Sequence, residues 1–262
     1  MTSWMKFASL LTLAGLTACS ASPTGRNQLL LFSDKDMSQL GAQSFEQMKK
    51  EQPISTDAKT NAYVQCVANS ITQHIPKHGF SEWEGVVFDS DQVNAFALPG
   101  GKIGVYTGLL KVAVNQDQLA TVIGHEVAHV LADHSNERLS QSQIANTGLS
   151  ITSVALGSSE YKRYQGMTMA ALGLGVQYGV ILPYGRTQES EADIVGLEYM
   201  AQAGFDPKQS VDLWQNMAKA SGGSQPPELL STHPSHSTRI KDLQSKITTL
   251  PQSNVARPNC KA

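Results

Sequence analysis

Thr121-Val-Ile-Gly-His-Glu-Val-Ala-His-Val-Leu-Ala-Asp-His134 decides how this chain is read, because it carries His125-Glu126-x-x-His129. Leu119, Val122, Ile123, Val127 and Val130 recur at helical spacing and Asn115 stands where an N-cap belongs, so the segment reads as a buried helix. Two histidines four residues apart lie about 40° from each other around such a helix, on one face, close enough to share a metal. Glu126 then projects beside the metal instead of binding it, where it can take a proton from water. The implied chemistry is that of a zinc hydrolase. The plainer alternative is two hydrogen-bonded histidines on an amphipathic helix. On a continuous helix His134 lies nearly opposite His125, and the spacing lacks the glycine turn that brings round a third histidine, so His134 reads as structural.

Upstream, residues 83–88, 94–98 and 103–106 are the clear β territory, and the Pro99-Gly100-Gly101 turn between the last two suits a hairpin. They predict a small antiparallel sheet leading straight into the metal helix. Before it, Ser33 caps a helix carrying Met37, Leu40, Phe45 and Met48. A second helix opens near Thr56-Asp57, buries Tyr63, Val64, Val67 and Ile71, and stops before Pro76. His74 and His78 flank its end as loop residues.

Downstream, residues 135–165 are polar and helix-compatible. Residues 167–182 are apolar and glycine-rich, too short for a comfortable bilayer span, and read as a helix packed against the active-site core. Glu189-Ser-Glu-Ala-Asp193 follows. Glu189 and Asp193 share a helix face, so one can bind metal while the other accepts a hydrogen bond from a ligating histidine. Glu191 points about 200° away from Glu189 and competes with it as ligand; spacing alone does not choose. Gly204 ends that helix, and Asp206-Pro207 opens another with Val211, Leu213, Trp214 and Met217. The expected fold is α+β and predominantly α-helical.

The first residues carry one lysine and then an apolar run, which together read as a signal peptide over residues 1–18. Leu16-Thr-Ala-Cys19 resembles the bacterial lipoprotein box, which implies cleavage before Cys19 and its lipidation. Ser20 in the next position implies delivery to the outer membrane, with the body of the protein facing the periplasm. Residues 19–32 then form the lipidated N-terminus and tether, residues 33–250 the zinc peptidase domain, and residues 251–262 a tail. Cys66 and Cys260 remain, two thiols in an oxidising compartment; a disulfide between them competes with a buried Cys66 and a free Cys260. With a formal net charge of -2 and scattered Lys and Arg, the chain carries no footprint for nucleic acid.

Residues 94–101 (Asn-Ala-Phe-Ala-Leu-Pro-Gly-Gly), Thr107-Gly-Leu-Leu110 and His125-Glu-Val-Ala-His129 together resemble family forty-eight of the metallopeptidases, which includes HtpX and the type I CAAX prenyl proteases. The resemblance runs from about residue 35 to residue 245. It implies a zincin-like (gluzincin) core with one zinc ion held by His125, His129 and Glu189, with Asp193 behind them and Glu126 as general base. Thr232-His-Pro followed by Arg239-Ile240 is similar to a further family segment. It brings His233 near the cleft, either to donate to the oxyanion of the tetrahedral intermediate or to occupy the open zinc position in a latent state; a capping role competes with both. Asn94, Ala95, Phe96 and Ala97 are placed to offer a sheet edge to a substrate strand. The expected function is an endopeptidase acting on unfolded or misassembled envelope proteins, attached to the membrane by its lipid. The alternative is a chaperone-like or assembly-factor lipoprotein whose zinc site is latent or structural.

Overall fold

The computed structural model describes residues 19–76, 78–80, 82–158, 163, 165–176, 182–220 and 236–261. In chain order the elements are β1 (Cys19–Ala21), β2 (Asn27–Leu29), α1 (Asp34–Glu51), α2 (Ala58–Thr72), β3 (Glu84–Phe88), β4 (Ala95–Leu98) and β5 (Lys102–Tyr106). A 3-10 turn (Thr107–Lys111) leads to α3 (Gln116–Leu131), α4 (His134–Gly157), α5 (Gln165–Val176), α6 (Leu182–Gln202), α7 (Gln209–Ala220) and α8 (His236–Ile247). This is the mostly helical α+β fold expected, with a small sheet beside the His-Glu-x-x-His helix.

α3 is the element the others pack around: α2, α6, α7 and β4 all lie against it. Asn115 starts it, its side chain accepting from the amides of Asp117 and Gln118. Leu119, Ile123 and Val127 are completely buried and join Val64, Val67 and Ile71 of α2, Met200 of α6 and Leu213 of α7 in one core. At about 25 cal/mol per Å² of apolar surface, burial of this kind is the main term holding α3 in place.

Sheet order is β3-β5-β4, with β5 antiparallel to β4 but parallel to β3. The wholly antiparallel sheet expected from the sequence is therefore corrected to a mixed one. Gly100 and Gly101, at φ of 82° and 75°, fold β5 back on β4, and β5 then fits between its hairpin partner and β3. Alternation sorts the side chains. Val87, Ala95, Ile103 and Val105 face the main core, while Phe88, Phe96 and Tyr106 gather around Phe45 of α1. The outer edge of β3 is covered, since Ser55 N–H donates to Val87 O (2.9 Å) and Asp89 N–H to Pro53 O (2.8 Å). Among the described residues no strand pairs with the outer edge of β4.

The folded body extends beyond residues 33–250 at both ends. Residues 19–32, read as a tether, form an antiparallel ribbon of β1 and β2 laid on the start of α4. Gln28 Nε2 donates to Ala132 O (2.6 Å), Leu31 N–H to Ser140 Oγ (2.9 Å), and Asn136 Nδ2 to Phe32 O (2.7 Å). At the other end Cys260 is bonded to Cys66 of α2 with a Cα–Cα distance of 5.6 Å. Arg257 pairs with Asp117, and Gln116 Nε2 donates to Pro258 O (2.7 Å), so the tail is fastened to the first turn of α3. A third difference concerns α5. It packs on α4 as a helical hairpin with Met167 72% exposed, where a helix against the active-site core was expected. Among the described residues no helix is long and apolar enough to cross a membrane.

Candidate metal centre

α3 and α6 bring the candidate ligands together because they cross almost backbone to backbone. A Cβ placed on Gly124 would stand 2.8 Å from Gly196 O, so both positions require glycine for this approach. Directly after Gly124 comes His125, and two turns before Gly196 comes Glu189. His125 Nε2 lies 3.1 Å from Glu189 Oε2 and 3.1 Å from His129 Nε2, and His129 Nε2 lies 3.4 Å from Glu189 Oε1.

Those separations test the metal. Three donors about 2.1 Å from one tetrahedral ion stand about 3.4 Å from one another. Two imidazole nitrogens and a carboxylate oxygen converge at nearly that spacing, in a pocket where Glu189 is 2% exposed. Neutral imidazole nitrogens that ligate a metal present lone pairs, which would repel each other here without a cation between them. The donor set fits zinc, and its burial explains why it needs one.

Around the donors stand residues that fix their orientation. Asp193 Oδ1 lies 2.9 Å from His125 Nδ1, the arrangement expected of a carboxylate that holds a ligating histidine. Arg239 of α8 donates to both Asp193 oxygens (2.7 and 2.6 Å), and its guanidinium carbon lies 3.6 Å from the ring centre of Trp214. Burial alone would raise the Asp193 pKa; the Arg239 charge and the bonds from His125 and Arg239 outweigh it and hold the carboxyl below its ordinary range.

His134 is not on a continuous helix with His125. Asp133, at φ 51°, ends α3 and turns the chain so that His134 opens α4. Its ring reaches back, with Nδ1 2.8 Å from His129 Nδ1 and Nε2 3.1 Å from Glu191 Oε2. It is not one of the three clustered donors, and it contacts one of them directly. Burial pushes its pKa down to about 4, against the pull of Glu191, so the ring is neutral near pH 7. Glu191, the competing ligand candidate, is thereby turned away from the metal and bonded to His134, Thr24 and Arg26.

Glu126 sits half-buried next to His125, and among the described residues no hydrogen bond engages its carboxylate. Asn94 is exposed and Ala95, Phe96 and Ala97 form the open strand β4 against α3. His233 lies outside the described residues. Four side chains bonded around the cluster were not singled out from the sequence as site residues: Arg26, Glu137, Arg138 and Arg239. Arg239 alone carried a signal, as the arginine of the Thr-His-Pro…Arg-Ile segment. Arg138 donates to Glu189 Oε1 (3.2 Å) from the exposed side.

A mostly helical fold wrapped around a His, His, Glu cluster, with Glu126 beside it and strand β4 packed along the same helix, defines a zincin-type metallopeptidase domain. The chain belongs to peptidase family M48, whose profile matches residues 58–247. It is similar to the mitochondrial metalloendopeptidase OMA1 of Bos taurus, with 32% identity over 97% of this chain and 50% of that protein. Against mitochondrial metalloendopeptidase OMA1 of Schizosaccharomyces pombe the figures are 35%, 76% and 55%. Against the β-barrel assembly-enhancing protease of Yersinia pestis they are 28%, 81% and 44%. The chain thus spans about half the length of the curated relatives it matches.

Proposed function

We propose that this chain is a zinc-dependent endopeptidase that cleaves unfolded or misassembled proteins of the bacterial envelope, held at the outer membrane by lipid on Cys19 and facing the periplasm. The observation that carries the activity is the 3.1–3.4 Å triangle of His125, His129 and Glu189 donor atoms, with the half-buried Glu126 next to His125 on the same helix. Bound there, zinc supplies a Lewis acid that polarises the scissile carbonyl and makes water easier to deprotonate. Glu126 takes a proton from the attacking water and delivers it to the leaving amine nitrogen as the C–N bond breaks. Asp193 and Arg239 keep His125 oriented throughout.

β4 supplies the substrate register. Tyr106 N–H donates to Asn94 O (3.2 Å), which sets the alternation so that Phe96 and Leu98 bond to β5 while the backbone of Ala95 and Ala97 faces the open edge. An extended peptide adding to this edge is held by its main chain, which favours unfolded segments over a particular sequence. The lipoprotein-like Leu-Thr-Ala-Cys19 and the Cys66–Cys260 bond support an oxidising envelope compartment. A relative named as a β-barrel assembly-enhancing protease supports envelope proteins as the substrate class.

Cleavage of an unfolded casein by wild type, by wild type with chelator, and by Glu126→Gln tests the activity. Wild type alone is expected to cleave; equal cleavage by wild type and Glu126→Gln on every unfolded substrate removes the endopeptidase reading. Metabolic labelling with a fatty acid, with and without Cys19→Ala, tests the anchor, and absence of label on wild type removes it.

A further inference from the structure

His125 and His129 are held from opposite ends of the chain. His125 is fixed by Asp193 and, behind it, by Arg239 near the C-terminus. His129 is reached from the N-terminal ribbon. With its Nε2 facing the ligand cluster, His129 carries its proton on Nδ1 and donates to His134 Nδ1 (2.8 Å). His134 is then protonated on Nε2 and donates to Glu191 Oε2 (3.1 Å), an acceptor only. Each link has one donor and one acceptor, so the position of Glu191 sets the tautomer and ring orientation of His129.

Glu191 is in turn held by the turn between β1 and β2. Thr24 donates to Oε1 from its amide (3.2 Å) and its hydroxyl (2.6 Å), and Arg26 donates to Oε2 from Nε (3.2 Å) and Nη2 (2.9 Å). The same guanidinium forks onto both oxygens of Glu137 (2.5 and 2.8 Å). Glu137 and Glu191 lie on different helices and are 1% and 3% exposed, so Arg26 is the charge that lets two buried carboxylates face each other beside the metal centre.

We propose that Thr24 and Arg26 are positioning residues for the zinc site, acting through Glu191 and His134 on His129. The ribbon that begins at the proposed lipid-bearing Cys19 is therefore part of the metal-binding machinery, and metal affinity depends on that ribbon being seated. This rests on the zinc reading above.

The test measures zinc affinity by competition with a chromophoric chelator, and the visible absorption of the cobalt(II)-substituted protein, on the full chain. Thr24→Val removes only a hydroxyl at an exposed position, Thr24→Ser restores it, and Arg26→Lys keeps charge while losing the fork. Thr152→Val on the exposed face of α4 is the control. Thr24→Val and Arg26→Lys, still folded by circular dichroism, are expected to bind zinc about tenfold more weakly and to shift the cobalt spectrum, as loss of a group behind a metal ligand does. Thr24→Ser and Thr152→Val should stay within about twofold of wild type. Should Arg26→Lys fail to fold, Thr24→Val decides alone. Wild-type affinity and spectrum in Thr24→Val would overturn the proposal, reducing the ribbon to a fold clamp. A wild type that takes up neither metal would instead overturn the zinc reading on which it stands.

Discussion

The backbone of Gly196 touches the backbone at His125: a Cβ added to Gly196 would stand 2.7 Å from the His125 amide nitrogen and 2.7 Å from Gly124 C. The obstruction is main chain on both sides, so no side-chain rotation relieves it. Gly196→Ala should push α6 away from α3, lengthen the 3.1 Å separation of His125 Nε2 and Glu189 Oε2, and abolish tight zinc binding. Overpacking of this kind costs about 1–3 kcal/mol, so the variant is expected to fold with a lowered Tm. Calorimetry and chelator competition check both halves; tight zinc binding by a folded Gly196→Ala would show that the close crossing does not set the ligand spacing.

How far this arrangement is legible in sequence depends on what holds each residue. His125, Glu126 and His129 are set by one helix period, so their relation is visible in five letters. Glu189 needed a family motif, because nothing local says which of three acids faces the histidines; the structure shows Glu191, equally buried, bonded to His134 and Arg26 instead, residues 57 and 165 positions away in the chain. Contacts of that range leave no periodicity. The ribbon of residues 19–32 read as a tether for the same reason. Residues 20–28 are mostly polar, and the hydrogen bonds that seat the ribbon on α4 and Glu191 reach partners more than a hundred positions away. The parallel pairing of β3 with β5 was hidden because strand order is decided by where the hairpin inserts.

Asp193 and Arg239 are a buried pair, 8% and 6% exposed, and each is costly without the other. Arg239→Met should destabilise by about 3–5 kcal/mol, while adding Asp193→Asn should recover a large part of that loss, since the uncompensated charge is gone. Thermal melts of the two single variants and the double variant give the coupling. Additive losses would mean that the two side chains do not interact.

The same pair predicts a pH dependence. The Asp193 carboxyl is held below its ordinary pKa of 3.8, burial being outweighed by Arg239 and His125, so the folded state binds that proton less readily than the unfolded state. Its contribution to stability is then fully present above about pH 4 and is lost as pH falls through the lowered folded value. The Tm difference between wild type and Asp193→Asn should shrink on acidification below that point. A difference that stays constant down to pH 2 would contradict the lowered pKa.

The Cys66–Cys260 bond closes a loop spanning 194 positions and pins the tail that holds Asp117 and Gln116 at the start of α3. Loop-closure entropy for so long a loop sets an upper figure of about 5 kcal/mol, and losses of about 2–5 kcal/mol are usual for removing a native bond. Cys66→Ser with Cys260→Ser should lower Tm by several degrees without removing any zinc ligand. Differential scanning calorimetry with and without reductant measures it, and reductant should leave the double variant unchanged.

Ala97 lies on the edge strand with its N–H facing away from β5, a position where proline removes a donor without breaking the ladder. If substrate peptides add to this edge, the N–H of Ala97 donates to the substrate backbone, and one such bond is worth about 0.5–1.5 kcal/mol. Ala97→Pro should therefore lower kcat/KM for an unfolded protein by up to about tenfold. Zinc affinity should be untouched, because no ligand or supporting residue lies on β4. A small reporter too short to pair with the strand should be cleaved at the wild-type rate, so the ratio of the two rates isolates strand pairing from damage to the centre. Wild-type kcat/KM on the long substrate, or a loss no larger than that on the short one, would show that substrate does not pair with β4 and leave it as a purely structural strand.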